Sequence, residues 1–221
     1  MSNAFPAQLD ARLSLGETVF RAYLLLAGTL AASTAAAWLG ARLPFAWQHP
    51  IILALAGFAC LFLVIFLAAK DSPAAVPAVF GFAALEGLSL GPLLAIYAAM
   101  PQGTLVVGEA TASTTAIFFT LSIYALVSRR DFSFLRSFLF VGLVLVVLAS
   151  IAGIWLHIPA FHMAVAAASA LIFSGYILVD TSRLVRRPGM SPVLMVVSLY
   201  LDILNLFLSL LRLFAWLNEP R

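Results

Sequence analysis

Charge is scarce in this chain. Asp, Glu, Lys and Arg together make up 10% of its 221 residues, against about 25% in soluble domains, which excludes an ordinary water-soluble fold. Cysteine is nearly absent too: Cys60 stands alone, so an intramolecular disulfide is ruled out and the thiol reads as a small hydrophobe in an apolar run. The pattern of a removable leader is also missing. Residues 1–18 carry Asp10, Arg12 and Glu17 instead of a basic region, a short apolar core and a cleavage site. The first apolar run is therefore expected to stay as an anchor. His49, His157 and His162 stand in or beside turns without a second ligand at metal spacing, so no zinc site is expected.

What the chain has in excess is hydrocarbon. It is 64% hydrophobic, with a mean hydropathy of +1.10, gathered in continuous runs of about 20 residues, the length that crosses a bilayer as a helix. A β-barrel would alternate in polarity over segments of about ten residues. The expectation is an all-α integral membrane protein, a seven-transmembrane-helix bundle. Its spans are placed near Val19–Leu39, Ile51–Ala69, Ala74–Ala98, Leu105–Val127, Phe134–His157, Phe161–Arg183 and Val193–Trp216. Residues 1–18 then form a cytoplasmic segment, 19–217 the membrane domain and 218–221 a tail. The breaks have physical causes: Pro44 and Pro50 flank an amphipathic turn, Pro73 follows Lys70-Asp71, and Pro101-Gln102-Gly103 is a polar turn. Arg129-Arg130-Asp131, His157-Ile158-Pro159 and Arg187-Pro188-Gly189 close the others.

The net charge of +3 sits at helix ends, where insertion demands it, and implies no nucleic-acid binding. Arg12, Arg21, Lys70, Arg129, Arg130, Arg136, Arg183, Arg186 and Arg187 fall on one side of the seven-span arrangement, and only Arg42 opposes them before the last helix. Short cytoplasmic loops carry such an excess, so the N-terminus is expected in the cytoplasm. An odd helix count leaves Arg212 and Arg221 on the cation-poor side. A last helix that is short, re-entrant or surrounded by protein relaxes that conflict.

Two acids stand out. Asp180 and Asp202 lie inside the last two apolar helices, and a carboxylate in hydrocarbon costs about 3 kcal/mol on insertion scales, so such groups face the bundle interior and often mark function. Ser198, Asp202, Asn205, Ser209 and Arg212 follow one another at intervals of four, three, four and three, which puts them on one helix stripe. A polar stripe on an apolar helix points away from lipid, so the last helix is expected to be central. The hydroxyls and amide alone read as interhelical glue. Tyr176, Asp180 and Arg183 share a face in the same way, and Asp180 is placed to pair with Arg183. Counted from the connecting loop, Asp180 lies roughly 10 Å and Asp202 roughly 15 Å deep, within about one turn of each other in an antiparallel pair.

Two carboxyls in one dry site cannot both ionise cheaply and tend to share a proton. Singly protonated, the pair holds the two helices together. Without that proton, two repelling anions favour separation and suit hard cations such as calcium. Glu86, about twelve residues into the third helix, is the deepest charge and reads either as a pore or ion contact or as a neutral acid bonded to a nearby hydroxyl. Gly87, Ser89, Gly91 and Pro92 around it allow close packing. Glu109 reads as a solvated acid at a helix N-terminus, and Thr111, Ser113, Thr114 and Thr115 as hydroxyls bonded to backbone and neighbouring helices.

SGYILVDTSRL and VSLYLDILNLFLSLLRLF, with EGLSLGPLLAIY on the third helix and RRDFSFL after the fourth, resemble the Bax inhibitor family in its bacterial, YccA-like branch, over nearly the whole chain. The resemblance implies seven transmembrane helices with the last near the centre of the bundle, in the bacterial inner membrane. It implies a pH-sensitive calcium leak whose di-aspartyl sensor corresponds to Asp180 and Asp202. Some members latch a basic residue from the end of the second helix onto one aspartate. Here Ala69-Lys70-Asp71 occupies that region, so Lys70 is the candidate, a point charge without the bidentate fork of arginine. The branch is also linked to the membrane protease FtsH, as substrate and modulator, and residues 1–18 are the natural cytosolic handle.

Three functions follow for comparison. The first is a cation leak gated by Asp180 and Asp202, with Lys70 and Arg183 as candidate latches. In it Glu86, Ser198, Asn205 and Ser209 are candidate pore or ion contacts, and calcium is permeant or transiently bound rather than a resident cofactor. The second is a modulator of FtsH with no transport role. The third, an intramembrane aspartyl protease, needs a Tyr-Asp pair and a Gly-x-Gly-Asp motif. Leu201 precedes Asp202 and Leu178-Val179 precede Asp180, so no enzymatic activity is expected.

Overall fold

A computed structural model describes residues 4–128, 130–186 and 191–218, and side chains from residue 16 onward. Arg129, the turn at Arg187-Pro188-Gly189 and the tail residues 219–221 lie outside the described residues. Eight helices follow in order: α1 (Ala4–Gly40), α2 (Pro44–Gln48), α3 (Pro50–Ala69), α4 (Ala75–Ala98), α5 (Gly103–Ser128), α6 (Leu135–Gly153), α7 (Pro159–Arg186) and α8 (Pro192–Leu217). Seven of them are long and apolar enough to cross a membrane, the first over Gly16–Gly40. The protein is an all-α membrane bundle.

Two boundaries depart from the hydropathy pattern. Helix α1 begins at Ala4, well before Val19. The residues between are too polar to read as membrane, yet nothing in them after Pro6 breaks a helix. The turn expected between Pro44 and Pro50 is the short helix α2, with Pro44 in its first turn, where a missing N–H costs nothing. Trp47 closes the corner by donating from Nε1 to the Ala41 carbonyl.

Burial sorts the spans. In α6 only 6% of the span is buried, whereas in α8 the figure is 61%, against 22 to 33% for the other five. Phe138, Phe140, Leu145 and Leu148 on α6 are exposed and suit lipid. Helix α8 is enclosed by protein, as a central helix must be. Its single 26-residue run is long enough to span, and Arg212 near its end is exposed.

The described chain forms two compact units, Met1–Pro92 with Leu184–Ser198, and Leu93–Arg183 with Leu199–Arg221. In the first, α1 and α4 cross on small residues. A side chain at Gly87 would collide with the Ser33 carbonyl, one at Gly91 with the backbone at Ala37 and Ala41, and one at Gly40 with the Leu88 carbonyl. Glycine at these positions lets two backbones touch, the usual source of helix association where lipid removes the hydrophobic driving force. In the second unit Phe132, Leu139 and Val179 form a core flanked by Leu135, Ile172 and Tyr176. Gly175 leaves room there for the Leu139 side chain.

Candidate functional site

The acids of the last two helices fall in the second unit. Helix α7 continues through Asp180 and Arg183 without interruption, so residues three apart face the same way. The Arg183 guanidinium donates to the Asp180 carboxylate at 3.0 Å, the two side chains being 22% and 12% exposed. Asp202, on α8, is 7% exposed, and its Oδ2 has no hydrogen-bond partner among the described residues. Asp180 lies close enough for its charge to act on Asp202. The pair is therefore asymmetric: one carboxylate is held by a cation, the other is enclosed with an oxygen left over.

Two further members of the stripe on α8 bond to their own backbone. Asn205 donates to the Leu201 carbonyl at 2.7 Å and Ser209 to the Asn205 carbonyl at 2.6 Å. Ser209 is buried, while Ser198 and Asn205 are half-buried. The glue expected between helices is thus made within one, because an i−4 carbonyl is always in reach of a short polar side chain. Thr111, Thr114 and Thr115 on α5 do the same. A real cross-helix contact joins Ser122 of α5 to Thr181 of α7, hydroxyl to hydroxyl at 3.4 Å. Ser182 donates to the Arg130 carbonyl at 3.0 Å, tying α7 to the α5–α6 connection.

Glu86 and Lys70 lie in the first unit. The Glu86 carboxyl occupies the space that Gly57 of α3 leaves open, its Oε1 being 2.7 Å from where a Cβ would stand. Ser89 donates to the Glu86 backbone carbonyl, not to its side chain. The hydroxyl nearest in sequence therefore does not satisfy the acid. The Lys70 ammonium sits 4.2 Å above the Phe66 ring of its own helix. Glu109 is not simply solvated: it is half-buried and accepts a hydrogen bond from Asn218 at 3.3 Å.

A family profile described as Inhibitor of apoptosis-promoting Bax1 matches residues 16–219. The chain belongs to the Bax inhibitor family. It is 38% identical over 213 residues to an uncharacterized membrane protein of Vibrio cholerae, covering 96% of this chain and 95% of that one. It is 35% identical over 209 residues to the Modulator of FtsH protease YccA of Escherichia coli K12, covering 94% and 93%. The figures are the same for the Inner membrane protein YccA of a second Escherichia coli strain.

In this Bax inhibitor family member two further groups join the acids. The Tyr176 phenol lies within reach of the charges of Asp202, Asp180 and Arg136, one turn before Asp180 on α7. The interval of four between Tyr176 and Asp180 was a signal for the first. Arg136 carried none, because at a helix start it looks like any other basic anchor.

Proposed function

We propose that this Bax inhibitor family protein is a non-enzymatic, proton-gated cation leak of the bacterial inner membrane, with calcium as a permeant ion and the N-terminus in the cytoplasm. The observation that carries the proposal is the enclosed Asp202, with Oδ2 unbonded among the described residues and Asp180 in electrostatic reach. Arg183 neutralises Asp180, so Asp202 is the member that holds the proton. Protonated, it is a neutral group that an enclosed site tolerates; deprotonated, it is an anion beside another anion, and the repulsion drives α7 and α8 apart. The flux then rises as pH rises through the titration of the pair. Two carboxylates suit a passing ion, since tight calcium sites collect about six to eight oxygens. Among the described residues no group of three or more His, Cys, Asp or Glu gathers around a common point. Ser198, Asn205, Ser209 and Glu86 are kept as candidate ion contacts.

The test is calcium flux into dye-loaded vesicles containing the purified full chain, measured across pH. Asp202→Asn and Asp180→Asn should each flatten the pH response. A wild-type pH profile in both variants sinks the gate.

A second reading is favoured by the name of one relative, Modulator of FtsH protease. We infer that this chain binds an FtsH-type membrane protease, with residues 1–18 as the contact, on the continuous helix that begins at Ala4. Removal of residues 1–18 should abolish co-purification with the protease while leaving flux intact, and retained co-purification excludes that contact.

A further inference from the structure

A cavity of about 420 Å³ lies in the second unit, between the ends of α4, α6 and α8 and the start of α7. Tyr97, Ser150, His162, Arg212 and Trp216 line it, with Pro159 at its rim. It is remote from the acid pair: 18 residues of α7 separate His162 from Asp180, about 27 Å, and ten residues of α8 separate Arg212 from Asp202, about 15 Å. Its volume falls in the range of small-molecule sites.

The charge in it is one-sided. Arg212 is exposed toward this space, and among the described residues no ion pair or hydrogen bond engages its guanidinium. No acidic side chain lines the cavity, and Glu109, the acid at the start of α5, is engaged by Asn218. His162 is held beside α6 because Gly153 has no side chain, its ring lying 3.0 Å from where a Cβ would be. Tyr97 and Trp216 are the amphipathic aromatics that settle at the level of lipid headgroups. Every lining element contributes a helix terminus, which puts the cavity at the membrane surface and not in the hydrocarbon. Arg212 has no acidic partner among the described residues. An arginine fork with imidazole, phenol and hydroxyl donors around it matches a phosphate anion.

We propose that this cavity binds a phosphate ester, presented either by the headgroup of an anionic phospholipid or by a soluble organic phosphate. Arg212 supplies the charge and the fork, and His162 and Tyr97 add donors. Trp216 and Pro159 cover the carbon next to the phosphate.

The test uses the full chain in nanodiscs of phosphatidylglycerol and phosphatidylcholine, released for native mass spectrometry, and separately in detergent with added glycerol phosphate, followed by thermal unfolding. Wild type should retain phosphatidylglycerol over phosphatidylcholine, and Arg212→Gln should reduce that retention about tenfold, as the loss of a charge-assisted hydrogen-bonding group implies. Arg212→Lys, which keeps charge without the fork, should fall between them. If the source is soluble, glycerol phosphate raises the unfolding midpoint of wild type but not of Arg212→Gln, and neither lipid is retained selectively. The unfolding midpoints without ligand show whether each variant is folded; Arg212 is exposed, so they should match. Equal retention and equal stabilisation in wild type and Arg212→Gln overturn the proposal, as does the absence of both effects in wild type.

Discussion

Arg183 and Asp180 form an ion pair one turn apart on α7, at 3.0 Å, while Asp202 across from them keeps an oxygen without a partner among the described residues. In the proposed gate, that inequality divides the work of the two acids. A cation beside one carboxylate stabilises its charge, so the proposed gate assigns the proton to the other.

Removing the cation should therefore strengthen the hold on the proton. In Arg183→Gln two unneutralised carboxyls compete, the protonated form persists further, and the flux profile moves toward higher pH. Lys70 already lies on the Phe66 ring, so Lys70→Ala should leave the profile where it is. Vesicle flux titrations of both variants check the pair. An unmoved profile in Arg183→Gln, or a moved one in Lys70→Ala, would reassign the latch.

Asp202 should also be a burden on stability. Replacing an enclosed, partly unsatisfied acid by an apolar residue of similar size is often neutral or stabilising. Asp202→Leu should raise the stability by about 1 kcal/mol or more, read as a higher unfolding midpoint in detergent, while abolishing the pH response of flux. A lower midpoint would mean that the carboxyl has bonds the fold depends on.

The glycines of α4 and α3 should separate cleanly. At Gly87 a methyl group meets the Ser33 carbonyl, a piece of backbone that cannot yield without moving α1, so Gly87→Ala should cost about 2 kcal/mol or more. At Gly57 the methyl meets only the end of the Glu86 side chain, which can rotate. Gly57→Ala should cost less than about 1 kcal/mol. Thermal unfolding of the two variants in the same detergent gives the ordering.

Glu86 and Asp202 are both acids within apolar spans, but they should respond differently. Glu86→Gln should lower cation flux severalfold without moving its pH midpoint, as expected of a group that meets the ion but does not gate it. A shifted midpoint would make Glu86 part of the sensor.

Much of this was written in the chain. Apolar runs bounded by Pro, Gly and Arg gave the seven spans, and the intervals between Asp180 and Arg183 and along the stripe from Ser198 to Arg212 gave the faces, because a helix repeats so regularly. Close packing around Gly87 and Gly91 was legible for the same reason. Other features depend on which neighbour lies nearest in space. That Asn205 and Ser209 bond to their own helix, that Glu86 fills the gap at Gly57 and that Arg136 approaches Tyr176 are choices among partners of similar chemistry. The long extension of α1 was hidden because hydropathy detects membrane, not helix.

Because α8 follows six other spans in the chain and is the most enclosed of the seven, biogenesis has an order built into it. The segment carries Asp202 well inside it, which adds about 3 kcal/mol to the free energy of entering lipid unaided. It is stable in the bilayer chiefly through the protein that encloses it. A chain cut short before Pro192 would leave the residues that pack on α8 facing lipid with no occupant, a state that quality control should remove.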